Sequence, residues 1–77
     1  MGIGTLDELL EKTAQLNIRE SAMIFLRGDQ SFRWITTTLS RSGLSREITE
    51  QLLLSLRNYG DSYRSQALFN WLAQTDW

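Results

Sequence analysis

The chain contains no cysteine, no proline and no histidine, and Lys12 is its single lysine. Without cysteine it has no disulfide and no thiolate nucleophile, and without cysteine or histidine it lacks the usual ligands of a structural zinc ion. The most common general base is missing as well. Stability must therefore come from packing of the chain, and neither a cofactor nor a metal is expected.

Long apolar runs are also missing. The longest, Ala22 to Leu26, is far shorter than the roughly 20 residues that span a membrane. The segment from Met1 to Gly4 has no basic region before an apolar stretch, unlike a secretory signal peptide. The net charge of −1 gives no general attraction to nucleic acid or to anionic lipid. The expectation is a cytoplasmic protein without a membrane partner.

Helix start and stop signals are what the sequence does contain. The residues suited to start a helix are Thr5, Asn17, Ser31, Ser45, and either Asp61 or Ser62. The residues suited to stop one are Gly28, Gly43 and Gly60. These signals predict an all-α fold, a compact bundle of four to five short helices in a single small domain spanning residues 1–77. The predicted helices cover about 6–16, 18–27, 31–41, 46–58 and 63–74.

Apolar spacing predicts which face of each helix is buried. The first predicted helix has a capping box at Thr5 and Glu8 and an apolar stripe of Leu6, Leu9, Leu10, Thr13 and Leu16. The second is apolar on all sides, which is typical of a central helix. The fourth has a stripe of Ile48, Leu52, Leu56 and Tyr59. The fifth is expected to face inward with Tyr63, Ala67, Leu68, Trp71 and Leu72.

Residues 31–41 allow two interpretations. Ser31 can cap a helix that buries Phe32, Ile35 and Leu39, whereas the run from Trp34 to Thr38 has good strand propensity. Helix is the prediction, because no other segment offers a partner strand and a lone strand leaves its backbone groups unpaired.

Four apolar residues fall outside the predicted buried faces: Trp34, Leu54, Phe69 and Trp77. A helix that contacts neighbours on two sides would bury such residues in the core. Alternatively they form an exposed patch for a partner, with arginines at its rim, since aromatic residues and arginine are enriched at interfaces. The candidate rim residues are Arg33, Arg41, Arg57 and Arg64.

Catalysis is not expected from this residue set. Glu47, Glu50 and Asp61 are the candidate paired carboxylates, but the two glutamates have the spacing of ordinary solvent-exposed helix residues. The main hypothesis is a protein–protein interaction module, such as an adaptor, an inhibitor or an assembly domain. Its partner would be another protein or another copy of the chain, since the acidic Asp7, Glu8 and Glu11 complement the arginines. A structural subunit completed by its partner is a further possibility.

Residues 39–53 support an alternative function. Gly43, Leu44 and the start of a helix at Ser45 resemble a helix-turn-helix motif, in which the second helix reads base edges in the major groove. The resemblance implies that Arg46, Thr49 and Gln51 would contact bases and that Arg41 would contact a phosphate. The simpler interpretation is a helical hairpin within a bundle, because Glu47 and Glu50 would face the phosphates and the net charge is negative.

Overall fold

In the computed structural model the chain forms four α-helices, namely α1 (Ile3–Leu26), α2 (Phe32–Ser40), α3 (Arg46–Ser55) and α4 (Ser62–Gln74). The structure describes the backbone of residues 3–77 and the side chains of residues 12–77. No residue in this part of the chain belongs to a β-strand. The predicted all-α, single-domain fold is confirmed, and residues 32–40 are helical rather than extended.

Helix α1 is the central helix of the bundle. It packs against each of the other three helices, and α3 also packs against α4. A single core contains residues from all four helices, together with Leu44 before α3 and Leu56 directly after it. Its buried apolar residues are Ile18, Ala22, Phe25, Leu26, Ile35, Leu39, Leu44, Leu53, Leu56, Leu68 and Leu72.

Local capping sets the starts of three helices, as predicted. The side chain of Ser31 accepts a hydrogen bond from the Trp34 amide at 3.1 Å, and that of Ser45 accepts one from the Ile48 amide at 3.2 Å. Asp61 accepts from the Tyr63 amide at 2.9 Å, so it is Asp61 and not Ser62 that caps α4. Each hydroxyl or carboxylate satisfies a backbone donor that the first helical turn leaves without a partner.

The two helices predicted at 6–16 and 18–27 are a single helix, so the predicted break at Asn17 is wrong. The partly buried Ala14 and the buried Ile18, Ala22 and Phe25 continue at helical spacing through Asn17. No glycine or proline lies nearby to stop the helix, and an asparagine inside a helix costs only about 0.5 kcal/mol relative to alanine. Packing of the continuous face outweighs that cost.

The continuity of α1 also overturns the expected burial of Leu16, which is 65% exposed. Leu16 and Ile18 point about 160° apart on one helix, and Ile18 is the residue that enters the core. Thr5, the predicted first cap, lies inside α1. The side chains of the Thr5–Glu8 capping box and of the predicted stripe at Leu6, Leu9 and Leu10 lie outside the described residues.

The buried face of α3 is rotated by one residue from the predicted one. Thr49 and Leu53 are buried, whereas Ile48 and Leu52 are half-buried. The Thr49 hydroxyl donates to the Ser45 carbonyl at 2.9 Å, and this bond allows a polar residue to be buried without an unsatisfied group. The helix also ends at Ser55, before the predicted residue 58. In α4 the predicted inward residue Tyr63 is instead 83% exposed.

Replacing Asn17 with alanine tests the continuity of α1, because the free energy of unfolding is expected to rise if Asn17 lies inside a helix and to fall if it caps one. In a helix interior the change is expected to stabilise the fold by about 0.5 kcal/mol, because alanine has the higher helix propensity. At a helix start the same change would cost about 1 kcal/mol, because the capping oxygen is lost. Urea unfolding of Asn17→Ala, with Ser45→Ala as the control for a true cap, distinguishes the two. A loss of stability in Asn17→Ala would contradict the continuous helix.

Candidate functional site

The four apolar residues outside the predicted faces divide into two groups. Trp34 and Phe69 are half-buried and pack against the core, so contact with neighbours on two sides accounts for them. Leu54 is 43% exposed and Trp77 is 40% exposed. The Trp77 indole nevertheless donates to the Leu44 carbonyl at 3.0 Å, and its ring meets Trp71 edge-on with centroids 5.9 Å apart. Leu54 is therefore the one of the four whose exposure the bundle leaves unexplained.

The predicted rim arginines are also in different situations. Arg64 binds within the chain: it donates to the carbonyls of Phe25 and Gln30, and its guanidinium lies 4.8 Å from the centroid of the Phe25 ring. Arg33, Arg41 and Arg57 are exposed, and their side chains form no hydrogen bond or ion pair with another described residue. The eight predicted partner-binding residues are spread over α2, α3 and α4 and the segments that follow each of them. The structure does not gather them into one surface depression.

Two of the four predicted base-reading or phosphate-binding residues are engaged inside the fold. Thr49 has no exposed surface, so its predicted role as a base reader is incompatible with this structure. Arg46 donates to the Leu72 carbonyl at 2.7 Å, near the end of α4. Arg41, Arg46 and Gln51 are exposed, and of these three Arg46 is the one whose side chain is held by a hydrogen bond to α4. The contacts of Thr49 and Arg46 both belong to the packing of α3 within the bundle, where α3 lies against α1 and α4.

A groove with a largely apolar lining lies between α1 and α3 and is here called the α1–α3 groove. It consists of two adjoining depressions of about 410 and 320 Å³ that share Gln15, Arg19 and Leu52. Leu16, Ile48 and Leu52 form its apolar surface. Its polar residues are Lys12, Gln15, Arg19, Glu47, Gln51 and Ser55.

A hydrogen bond links the two walls of the α1–α3 groove. Arg19 on α1 donates to the Ser55 hydroxyl on α3 at 3.2 Å. The contact is exposed, so it contributes modestly to stability, but it holds the Arg19 guanidinium toward α3. Leu16 is thereby left uncovered beside it.

A second depression of about 290 Å³ lies on α1 itself and is here called the α1 hole. It is lined by Glu20, Met23, Ile24 and Arg27. These residues have the spacing i, i+3, i+4 and i+7, which is the set of four that surrounds an inserted side chain in helix-to-helix packing. Met23 and Ile24 are half-buried, whereas Glu20 and Arg27 are exposed at the two ends of the hole.

Sequence reasoning missed the groove and the hole for different reasons. The predicted break at Asn17 separated Leu16 from Arg19, which line the groove together. The α1 hole lies within the second predicted helix, which was expected to be buried on all sides. The signal was available, since Leu16, Met23 and Ile24 share one side of a continuous helix and Ile18, Ala22 and Phe25 share the other.

No group of three potential metal-ligating side chains occurs among the described residues. Every buried side-chain nitrogen or oxygen there has a hydrogen-bond partner. No described helix is both long enough and apolar enough to cross a membrane. A scan against protein-family models, a search of curated proteins and a search of solved structures found no match to this chain.

Proposed function

We propose that this chain is a non-catalytic protein–protein interaction module that contacts its partner through the α1–α3 groove. The module is a small adaptor or assembly domain, acting in the cytoplasm. The partner-binding residues assigned by this proposal are Leu16, Ile48 and Leu52, with Lys12, Arg19, Glu47 and Gln51 at the rim.

The exposure of Leu16 is the observation that carries the proposal. A leucine side chain gains about 1.5–3 kcal/mol when it is fully removed from water, yet Leu16 is 65% exposed. A single exposed leucine is ordinary, but this one continues into a groove with the half-buried Ile48 and Leu52. A contiguous apolar surface with a polar border is typical of a contact site for another protein.

The border of the groove supports the same function. Lys12 and Arg19 lie on one side and Glu47 on the other, with the amides of Gln15 and Gln51 between them. A mixed polar rim around an apolar centre is the usual composition of an interface that also exists in the unbound state. Leu54 lies on a different side of α3 from Ile48 and Leu52, so it is a matched exposed leucine outside the groove.

Photo-crosslinking in cells that produce the chain tests this function. A photo-crosslinking amino acid in place of Leu16 is expected to give a defined covalent product, because the partner covers that position. The same amino acid in place of Leu54 is the control and is expected to give a much weaker product or none. The product is identified by mass spectrometry, and the purified pair is then expected to bind at least about tenfold more weakly when Leu16 is changed to glutamate.

The outcomes separate the function from the identity of the partner. A product at position 16 that is reproduced with purified components supports the interaction module, whether the partner is foreign or a second copy. Equal products at positions 16 and 54, or none at position 16, would show that the groove is not the contact surface.

A further inference from the structure

We propose that the partner is a second copy of this chain, and that the two copies pair along their α1 helices in antiparallel orientation. This inference rests on the proposed function, because it names the partner and extends the contact from Lys12 and Leu16 of the groove along the outer face of α1. Leu16, at the edge of the α1–α3 groove, would lie at the centre of the pair.

The α1 hole gives the first reason. Glu20, Met23, Ile24 and Arg27 surround a depression that has the geometry of a receptor for one apolar side chain from a facing helix. The hole lies on the side of α1 that faces away from Ile18 and Ala22, so it is open to solvent in the single chain. A helix laid along α1 would fill it.

The spacing of residues along α1 gives the second reason. Thr13, Leu16, Glu20, Met23 and Arg27 are separated alternately by three and four residues. Residues with this spacing lie in one row along the helix, and helices that pair along their length meet through such a row. The sequence continues the same row toward the start of α1 with Leu6 and Leu9. At about 1.5 Å per residue, the 24 residues of α1 offer roughly 36 Å for such a pair.

Charge selects the antiparallel orientation. In a parallel pair, Glu20 would face Glu20 of the other copy, which is repulsive. Arg27 does not decide the orientation, because it is paired with Asp29 of its own chain at 3.4 Å. An antiparallel pair centred on Leu16 instead sets Glu20 of each copy level with Lys12 of the other, because these residues lie four positions on either side of the centre. The opposite charges then meet twice, once at each end.

The antiparallel pair also brings an apolar position of the other copy level with the α1 hole. Met23 lies seven positions after Leu16 and Leu9 lies seven positions before it. In the antiparallel pair each α1 hole is therefore level with Leu9 of the other copy, an apolar residue of suitable type. Arg19 does not oppose the pairing of Lys12 with Glu20, because it is directed to Ser55 on α3. One helix thus carries both the hole and, by sequence position, an apolar residue level with it in the other copy, as a two-fold symmetric interface requires.

Sedimentation equilibrium over a range of concentrations tests the pairing. The wild-type chain is expected to approach twice its 8.9 kDa mass. Leu16→Glu is expected to weaken the dimer at least about thirtyfold, since it places a charge at the centre of the contact, while Leu54→Glu leaves it unchanged. A wild-type chain that stays at 8.9 kDa at all concentrations would overturn the pairing. The crosslink at position 16 would then decide separately whether the groove binds a foreign protein.

Charge reversal tests the orientation. Lys12→Glu and Glu20→Lys are each expected to weaken the dimer roughly tenfold, because each creates two like-charged contacts from two opposite ones. The chain that carries both changes is expected to recover wild-type affinity, and so is a mixture of the two single variants. Glu50→Lys on α3 is the control for the change in net charge and is expected to have no effect. If the doubly changed chain dimerises no better than the single variants, the antiparallel orientation is wrong.

Discussion

Changing Gly60 to alanine is expected to be among the most destabilising single substitutions in this chain, with a loss of about 3 kcal/mol. A Cβ at this position would stand 2.5 Å from the carbonyl oxygen of Leu26 and 2.7 Å from its carbonyl carbon. These are backbone atoms at the end of α1, so they cannot rotate away as a flexible side chain would. The glycine also has a φ of +68°, a conformation that residues with a Cβ rarely adopt.

The close approach of Gly60 to Leu26 lies where the end of α1 meets the start of α4. The amide of Asp61 donates to the same Leu26 carbonyl at 2.9 Å, and Asp61 is the residue that caps α4. Moving residue 60 away from α1 would therefore disturb both a tertiary hydrogen bond and the start of α4. Since small domains are stable by only about 5–15 kcal/mol, the predicted loss would lower the melting temperature by more than about 10 °C.

Gly43→Ala is the matched control. Gly43 has a φ of +77°, but a Cβ added there would meet nothing within 4 Å. Its substitution is expected to cost only the backbone term, about 1 kcal/mol. Thermal and urea unfolding of both variants separate the steric contribution from the conformational one. Equal losses at the two glycines would show that the close approach to Leu26 contributes nothing.

The contrast between these glycines shows what the sequence can predict. The caps at Ser31 and Ser45 were predicted correctly and Asp61 was one of two candidates, because capping depends on a few neighbouring residues. All three predicted stop glycines have positive φ, although α2 and α3 end at Ser40 and Ser55, before Gly43 and Gly60. The close approach of Gly60 to Leu26 depends on how α1 and α4 meet, and no local pattern contains that information.

Helix faces were harder to predict than helix ends. On α3, Ile48 and Leu52 made an apolar stripe, yet Thr49 and Leu53 are the residues that enter the core. Thr49 could be buried because its hydroxyl binds the Ser45 carbonyl one turn earlier, a pairing that a hydrophobicity pattern does not register. The rotation leaves Ile48 and Leu52 half-exposed, and this is what creates the α1–α3 groove.

The candidate site could therefore be predicted only in part. The sequence indicated that some apolar residues lie off the buried faces, and Leu54 is indeed exposed. It did not indicate Leu16, because the predicted break at Asn17 let Leu16 be assigned to a buried stripe. A contact surface is formed by apolar residues that are not buried in the core. An error in predicting which residues are buried therefore also changes which residues are predicted to bind a partner.

The role of an individual arginine was also hard to predict from the sequence. Replacing Arg64 with alanine is the second substitution for which a large loss of stability is expected. Its side chain lies over the end of α1, where it donates to the Phe25 carbonyl at 3.2 Å and to the Gln30 carbonyl at 3.1 Å. The guanidinium also rests 4.8 Å from the centroid of the Phe25 ring. Arg64→Ala removes both hydrogen bonds to carbonyls that follow or end α1, the contact with the ring, and the packing of the aliphatic stem. The expected loss is about 2 kcal/mol in the free energy of unfolding.

Two control substitutions show whether the Arg64 effect arises within the chain. Arg64→Lys keeps the charge but lacks the planar fork that reaches two carbonyls and stacks on an aromatic ring, so it is expected to recover at most about half of the loss. Arg57→Ala removes an exposed arginine whose side chain has no partner among the described residues, and it is expected to cost less than about 0.5 kcal/mol. Urea unfolding of the three variants is the measurement. If Arg64→Ala and Arg57→Ala had the same free energy of unfolding, the contacts of Arg64 with α1 would contribute nothing to the fold. Arg64 would then again be a candidate for contact with a partner.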